Sequence, residues 1–207
     1  MPTHPLWRPF ELADLAEAAK ARVGKPPPRT ITVVAYDEEW PDRYGEVERA
    51  VRAALGERVL GLQHIGSTSV PGLAAKPVID ADLTVADSAD EAAYVPELED
   101  AGFSLRIREP DWEEHRLLTY RAPETNLHVF SPGSPELARH RLFRDWLRTH
   151  EADRTAYAEL KTELGTRGFR DGMDYNNHKG ALVYDIYERI FAADPDHEHD
   201  PQPRPDA

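Results

Sequence analysis

The stretch HIGSTSVPGLAAKPVIDADL, residues 64–83, decides the fold. It begins with the pair Gly66-Ser67 after an apolar run, and it ends with Asp80 and Asp82 in a second apolar run. Alternate side chains of a strand share a face, so both carboxylates are expected to point the same way. Two such carboxylates favour Mg²⁺, and a Gly-Ser turn offers N–H groups and a hydroxyl to a phosphate. The stretch therefore predicts a phosphate site beside a metal site.

The residues that follow the turn extend the predicted phosphate site. Thr68 and Ser69 begin a short turn or helix whose N-terminal amides are expected to face the phosphate. Lys76 leads into the strand that carries the aspartates. Each half alone also has a structural interpretation, since a Gly-Ser pair often marks a plain turn and alternate aspartates a solvated strand edge. The two halves in this order and spacing favour a functional site.

The composition limits the class of protein. A chain of 207 residues is long enough to bury a core, and the lack of cysteine excludes disulfides and thiolate metal sites. The net charge of −13 argues against non-specific binding to nucleic acid. The sequence contains neither an apolar run that could span a membrane nor the pattern of a signal peptide. We expect a soluble cytoplasmic protein.

Hydrophobic periodicity and turn residues divide the chain into strands and helices. Strands are predicted at residues 31–36, 59–65, 78–85, 103–108, 116–121 and 126–131, and helices at residues 10–23, 37–55, 90–101, 134–149, 153–165 and 173–191. This order predicts an α/β fold in which a mixed sheet is flanked by helices and followed by a helical part.

Four segments follow from this pattern. Residues 1–28 are predicted to form a helical extension with a proline-rich linker, residues 29–131 the α/β core, and residues 132–193 a helical subdomain. Residues 194–207 are rich in proline and charge without apolar side chains to bury, so we expect a disordered tail. The tail histidines His197 and His199 are weak candidates for metal ligands.

Basic side chains on the predicted helix at residues 134–149 are candidate phosphate ligands. Arg141, Arg144 and Arg148 lie at helical spacing and share a face. A solvated basic face is the alternative. In a protein of net charge −13, such a concentration of arginine favours a triphosphate or an acidic acceptor, and we assign Arg144 and Arg148 to the nucleotide.

The central stretch resembles a known family. Ile65-Gly66-Ser67 followed by Asp80-Ala81-Asp82-Leu83 resembles the signature of the polymerase-β-type nucleotidyltransferase superfamily. More narrowly, HIGSTSVPGLAAKPVID is similar to the central motif of the GrpB family, a branch of that superfamily. The resemblance runs from about residue 31 to residue 191 and implies a nucleotidyltransferase-like core.

The resemblance implies further site residues and one departure. Typical superfamily members carry a third carboxylate on a later strand, whereas the matching strand at residues 126–131 offers His128 and no acid. His128 is interpreted as a general base, as a neutral metal ligand, or as a hydrogen-bonded structural residue. The spacing of Tyr175 and Lys179 matches a family pattern, which makes Lys179 a candidate phosphate ligand.

These observations lead to one preferred function and two alternatives. We expect Mg²⁺-dependent transfer of a nucleotidyl group, AMP from ATP, to a small acceptor, with Asp80 and Asp82 as ligands of Mg²⁺. The first alternative is a non-catalytic module that binds a nucleotide or a coenzyme A-related ligand, because domains resembling this family are fused to dephospho-coenzyme A kinase. The second is a toxin–antitoxin-type transferase that modifies a protein hydroxyl.

Overall fold

Five strands form one mixed sheet in the computed structural model, which describes residues 2–24, 32–167, 169 and 172–204. The strands are β1 (Gly61–Ile65), β2 (Ile79–Thr84), β3 (Ser104–Glu109), β4 (His115–Arg121) and β5 (Glu124–Phe130). Their order in the sheet is β1-β2-β5-β4-β3. Only β2 and β5 pair in parallel, and the other neighbours are antiparallel. The predicted α/β fold with a mixed sheet is confirmed.

Six α-helices surround this sheet within the described residues. They are α1 (Leu15–Lys20), α2 (Trp40–Leu55), α3 (Val95–Asp100), α4 (Pro135–Thr149), α5 (Glu151–Gly165) and α6 (Gly172–Ala192). Short 3₁₀ turns lie at Gly56–Arg58, Ser67–Ser69 and Glu91–Ala93. No helix in the described part of the chain is both long enough and apolar enough to cross a bilayer.

Helix α2 forms for the reasons that the sequence indicates. Pro41 occupies its first turn, where a missing N–H costs no hydrogen bond, and Gly56 ends it at a φ of 56°. The buried side chains recur at helical spacing: Trp40, Val47, Val51 and Leu55. They pack with the sheet residues Ala81, Leu83 and Leu127 into the first of two hydrophobic cores.

The second core lies among α4, α5 and α6. Ser134 caps α4 by accepting a hydrogen bond from the Glu136 N–H. Leu147, Tyr157 and Ile186 bring the three helices together, and Val70 and Leu73 from the segment after β1 are buried in the same cluster: Val70, Leu73, Leu147, Tyr157, Ile186, Tyr187, Ile190 and Phe191. The segment after Gly66 is therefore fixed between the sheet and the helices.

Two predicted elements differ from the structure. The strand expected at residues 31–36 is reduced to an isolated bridge between Val34 and Ala75, and Ile31 lies outside the described residues. The helix expected at residues 90–101 is split into a 3₁₀ turn and α3, because Pro96 lacks an N–H and belongs in a first helical turn. Apolar β-branched residues alone did not suffice to predict pairing at residues 31–36.

The chain ends also differ from the predictions. Helix α1 covers only Leu15–Lys20 of the residues 10–23 expected, and the proline-rich linker lies outside the described residues. The tail was expected to be disordered. Instead it is ordered after α6 as far as residue 204, because Glu188 accepts hydrogen bonds from it. Glu188 accepts hydrogen bonds from Trp7 Nε1 (2.6 Å), His199 Nε2 (3.0 Å) and the Gln202 N–H (2.6 Å). A buried acid therefore orders a segment that has little apolar surface.

Candidate functional site

The glycine turn after β1 lies directly against an aspartate of β2. Residues Ile65 and Asp80 are paired across the two strands. Gly66 has a φ of 68° and a ψ of −171°, a conformation that only glycine adopts readily. A Cβ at Gly66 would lie 2.6 Å from Asp80 Oδ2. The predicted Gly-Ser turn and Asp strand therefore meet, and the glycine makes the contact possible.

The hydroxyl groups that follow Gly66 differ in what they contact. Thr68 Oγ1 is hydrogen-bonded to His64 Nε2 at 3.0 Å, and Ser69 Oγ donates to the Gly66 carbonyl at 2.6 Å. Both residues are buried, so their side chains hold the turn in shape. Ser67 is half-buried, and its side chain lies close enough to the phenol of Tyr157 on α5 to oppose the rise that burial causes in the pKa of that phenol. Ser67 is thus the hydroxyl of this turn that faces the helical layer.

Two arginines of α4 hold the same turn by its backbone. Arg144 Nη1 donates to the His64 carbonyl at 3.0 Å. Arg148 donates to the Ser69 carbonyl from Nη2 at 2.7 Å and from Nε at 3.1 Å. The sequence assigns both arginines to a phosphate, whereas the contacts observed are with protein carbonyls. These contacts position the turn, and the phosphate role stays a prediction.

The two aspartates of β2 have different neighbours. Asp80 Oδ1 accepts a hydrogen bond from Asn126 Nδ2 at 2.8 Å. Asp82, which is 2% exposed, contacts His140 Nδ1 with Oδ1 at 3.1 Å and with Oδ2 at 3.0 Å. Strand β5 runs parallel beside them and places Asn126 next to Asp80 and His128 next to Asp82. Each aspartate therefore faces a different set of partners.

His140 is a site residue that the sequence reasoning missed. Burial disfavours its imidazolium, but the hydrogen bond to Asp82 and the charges of Asp82, Glu136 and Asp80 outweigh it and raise the pKa of His140. The sequence does carry a signal, because His140 precedes Arg144 by four residues and so lies on the same face of α4.

His128 belongs to a chain of hydrogen bonds that runs to the sheet edge. Its Nδ1 lies 3.0 Å from His115 Nε2, and His115 Nδ1 lies 2.7 Å from Glu109 Oε2. Because a carboxylate accepts, His115 donates from Nδ1 to Glu109. With His115 in its neutral form, its Nε2 accepts from His128 Nδ1, which leaves a lone pair on His128 Nε2. Burial, and then the neighbouring imidazole of His115, lower the pKa of His128 to about 3. His128 is therefore neutral near pH 7 and a weak base.

Three lysines surround two tyrosines on the helical side of the turn. Lys76 Nζ and Lys179 Nζ lie 4.7 Å and 4.8 Å from the ring centroid of Tyr175. Lys179 Nζ also donates to Tyr157 Oη at 3.2 Å. Lys161 Nζ lies 4.6 Å from the ring centroid of Tyr157. The structure thus brings Lys76 and Lys179, both candidate phosphate ligands, to the same ring and places Lys161 nearby.

Lys161 is a second residue that the sequence reasoning missed. It is 2% exposed, and its Nζ has no hydrogen-bond partner within the described ranges. Burial, and then the charge of Lys179, lower the pKa of Lys161 to about 6. Burial likewise lowers the pKa of Lys179 to about 8, although Asp80 opposes the shift. Lys161 follows the inward Tyr157 by four residues, which was the available signal.

The donor set around β2 fits a magnesium ion that arrives with phosphate oxygens. Asp80 keeps Oδ2 toward Gly66 while Oδ1 accepts from Asn126. Across the described chain, neither aspartate belongs to a set of three His, Cys, Asp or Glu ligand atoms within 4.8 Å of one another. Mg²⁺ is commonly held by one or two carboxylates, substrate phosphates and water, so two aspartates suffice. Asp82 can also bind Mg²⁺ only if its hydrogen bonds to His140 break.

A separate group at the chain ends has the ligand types of a metal site. His4 Nε2 and His197 Nδ1 lie 2.9 Å and 3.0 Å from Asp194 Oδ2. The Leu6 N–H donates to His4 Nδ1 at 3.0 Å, which leaves Nε2 as the protonated nitrogen that donates to Asp194. A protonated nitrogen cannot ligate, so this group joins the chain ends by hydrogen bonds.

Proteins of known sequence and structure are similar to this chain. UPF0157 protein BH1888 of Halalkalibacterium halodurans is 47% identical over 170 residues, which are 81% of this chain and 86% of that protein. The crystal structure of conserved protein GrpB from Enterococcus faecalis superposes with a TM-score of 0.67 at 30% identity, and the match covers 77% of this chain and 96% of that chain. The fold is consistent with a nucleotidyltransferase-like core.

A more distant similarity involves a larger protein. Dephospho-CoA kinase of Mycobacterium tuberculosis is 30% identical over an alignment of 200 positions that covers 84% of this chain and 48% of the kinase. The family model described as GrpB protein matches residues 30–189. This match covers most of the chain and agrees with the motif in residues 64–83, so the chain belongs to the GrpB family.

Proposed function

We propose that this protein binds a nucleoside triphosphate with Mg²⁺ and transfers its nucleotidyl group, AMP from ATP, to a small acceptor. The observation that carries the proposal is the contact between the Gly66 turn and Asp80, where a Cβ would lie 2.6 Å from Oδ2. This contact brings a phosphate-binding turn and a metal-binding carboxylate within reach of one phosphate group.

Each residue of the site has a role in this proposal. The N–H groups of Gly66 and Ser67 bind phosphate oxygens, while Arg144 and Arg148 keep the turn in place through its carbonyls. Asp80 is the principal ligand for Mg²⁺, and Asp82 is the second. When bound, Mg²⁺ offsets negative charge on the phosphates and on the leaving pyrophosphate.

The transfer replaces one bond at the α-phosphorus with another. A hydroxyl oxygen of the acceptor forms a bond to the α-phosphorus, and the bond from that phosphorus to pyrophosphate breaks. The pKa of His128, lowered by burial to about 3, makes it a poor base for the hydroxyl proton. We assign that proton to the departing pyrophosphate, and we assign His128 Nε2 to accepting a hydrogen bond from the acceptor.

A non-catalytic binding module is the second candidate. Two observations favour it: β5 carries Asn126 and His128 beside the aspartates instead of an acid, and Asp82 is already hydrogen-bonded to His140. The similarity to a dephospho-CoA kinase makes a coenzyme A-related ligand the natural choice for such a module.

Labelled ATP separates the two candidates. The purified protein is incubated with Mg²⁺, cell extract and ATP that is labelled at either the α- or the γ-phosphorus, with the Asp80→Asn variant as control. Transfer predicts a product labelled only from α-labelled ATP and absent with the variant. A labelled protein would indicate a protein acceptor. No product, together with a higher melting temperature in Mg²⁺-ATP, would favour the binding module. If neither a labelled product nor a higher melting temperature is observed, both candidates are excluded.

A further inference from the structure

We propose that Lys161, Lys179 and Lys76 form a subsite for a dianionic phosphate group, the terminal phosphate of the bound nucleotide. The inference deepens the proposed function, because it names the part of the ligand that the helical layer recognises. It assigns Lys161, which neither the motif nor the sequence pattern identified, as a binding residue.

The burial of Lys161 is the first reason. Its side chain is 2% exposed, and its Nζ has no hydrogen-bond partner among the residues that the structure describes. Leaving a buried amine without such a partner costs free energy of folding, whether the amine is charged or neutral. An apolar side chain would pack there at lower cost. A lysine in this position is therefore explained by a ligand that supplies acceptors.

The balance of charge is the second reason. The groups that face Lys161 are Lys179 of α6, Lys76 before β2 and Asp80 on β2, together with the ring of Tyr157. Among the described residues, two neighbouring amines thus disfavour a charge on Lys161 and one carboxylate favours it. A phosphate dianion beside Lys161 would favour its charged form and would offer oxygens to the amines.

The position of the lysines beside the turn is the third reason. Tyr157 Oη accepts from Lys179 Nζ at 3.2 Å, and the Ser67 side chain lies close enough to the same phenol to lower its pKa against the effect of burial. A phosphate bound by the N–H groups of Ser67 and Gly66 therefore has its neighbouring phosphate near the lysines. Because α5 and α6 carry Lys161 and Lys179, binding would also hold the helices against the sheet.

Two kinds of ligand carry such a phosphate. One is the polyphosphate chain of a nucleoside triphosphate, and the other is the 3′-phosphate of coenzyme A. We commit to the polyphosphate chain, because the lysines adjoin the Ser67 turn rather than a separate cleft. Coenzyme A and dephospho-coenzyme A differ by that 3′-phosphate alone, so comparing them tests the other source.

Calorimetric titration of the full chain tests the subsite directly. The probes are inorganic tripolyphosphate without Mg²⁺, ATP, AMP, coenzyme A and dephospho-coenzyme A. We expect tripolyphosphate and ATP to bind and AMP to bind more weakly. Lys161→Met should weaken tripolyphosphate binding about tenfold to a hundredfold, the range for losing a charge-assisted hydrogen bond. Lys20→Met removes the same charge from an exposed site on α1 and should leave binding unchanged.

The outcomes are distinct from those of the transfer assay. If Lys161→Met binds tripolyphosphate as the parent does, the subsite is wrong even where labelled product forms. If tripolyphosphate binding depends on Lys161 but no labelled product forms, the subsite proposal is supported and the proposed nucleotidyl transfer is wrong. Equal binding of AMP and ATP, or a preference for coenzyme A over dephospho-coenzyme A, would overturn the assignment to a polyphosphate chain. Should Lys161→Met not fold, Lys179→Met decides by the same criteria.

Discussion

Asp80 and Asp82 lie two residues apart on one strand, yet the helical layer gives them opposite surroundings. Above Asp80 lie lysines of α5 and α6, whose pKa values depend on its charge. Above Asp82 lies α4, whose His140 contacts both carboxylate oxygens. The alternation of a strand places both acids on one face, and the helices that cover that face decide what each acid does.

This difference changes how the pair is understood. Two adjacent carboxylates that share only a cation would repel one another without it. Here Asp82 is hydrogen-bonded to His140, and the charge of Asp80 raises the pKa values of Lys161 and Lys179 against the effect of burial. Asp82 therefore belongs to a hydrogen-bonded pair within the fold, whereas Asp80 lies beside the Gly66 turn, where we propose that phosphate and Mg²⁺ bind.

The largest effect is expected where Asp80 meets the turn. Gly66→Ala must adopt a φ of 68° and must place its Cβ 2.6 Å from Asp80 Oδ2. We expect it to lose about 3 kcal/mol of stability or more, since both the backbone and the carboxylate are strained. Gly45→Ala is the matched control, because a Cβ there meets nothing within 4 Å and α2 favours alanine. Urea unfolding measures the stability of both variants. Equal losses of stability in Gly66→Ala and Gly45→Ala would contradict the close contact between Gly66 and Asp80.

Replacing each aspartate separately tests whether Asp82 serves mainly the stability of the fold and Asp80 mainly ligand binding. Asp82→Asn should lose about 1–3 kcal/mol of stability, because the buried hydrogen bonds to His140 lose their ionised acceptor. Asp80→Asn should lose less than about 1 kcal/mol, since its amide oxygen can still accept from Asn126. Only Asp80→Asn should abolish the rise in melting temperature with Mg²⁺-ATP while the fold is preserved. Equal losses from the two variants would mean that the aspartates are equivalent.

The sequence predicted the parts of this comparison that are local. The spacing from Gly66 to Asp80 fixed the contact between turn and strand, because the intervening residues return the chain to an antiparallel neighbour. The alternation of Asp80 and Asp82 correctly placed both on one face. The amphipathic patterns of α2 and α4 likewise appear in the structure with nearly the expected bounds.

The sequence could not predict which helical residue lies above each aspartate. His140 and Lys161 are separated from β2 by more than fifty residues, and a helical period gives a face without giving its neighbour in space. The ordering of the tail was missed for a related reason. Composition measures the apolar surface that a segment can bury, whereas the tail is held by donors that Glu188 requires.

The lysine side of the comparison makes a prediction about pH. Lys161→Met should be more stable than the parent near pH 7 by about 1–3 kcal/mol, since it removes an amine without a partner. The unfolded chain has the ordinary lysine pKa of 10.5, and burial lowers the pKa of the folded chain to about 6. Between these values the unfolded chain binds the proton more strongly, so the parent loses stability as the pH falls. The advantage of the variant should therefore grow from pH 10 to pH 6, which unfolding curves at several pH values can check. An advantage that is independent of pH would show that Lys161 keeps its ordinary pKa.

The smallest effect concerns the arginines, and it separates holding the turn from binding a phosphate. Arg148 donates from two nitrogens to the Ser69 carbonyl, but its side chain is 41% exposed. Arg148→Lys keeps the charge and loses the paired donors, so we expect a loss of about 0.5–1 kcal/mol. Arg141→Lys, at an exposed position of α4, should change stability by less than about 0.5 kcal/mol. Amide hydrogen exchange should rise at residues 66–73 in Arg148→Lys alone, because the N–H groups of Ser69 and Val70 bond within the turn that Arg148 holds. Unchanged exchange together with weaker tripolyphosphate binding would instead show that Arg148 contacts the phosphate, as the sequence predicts.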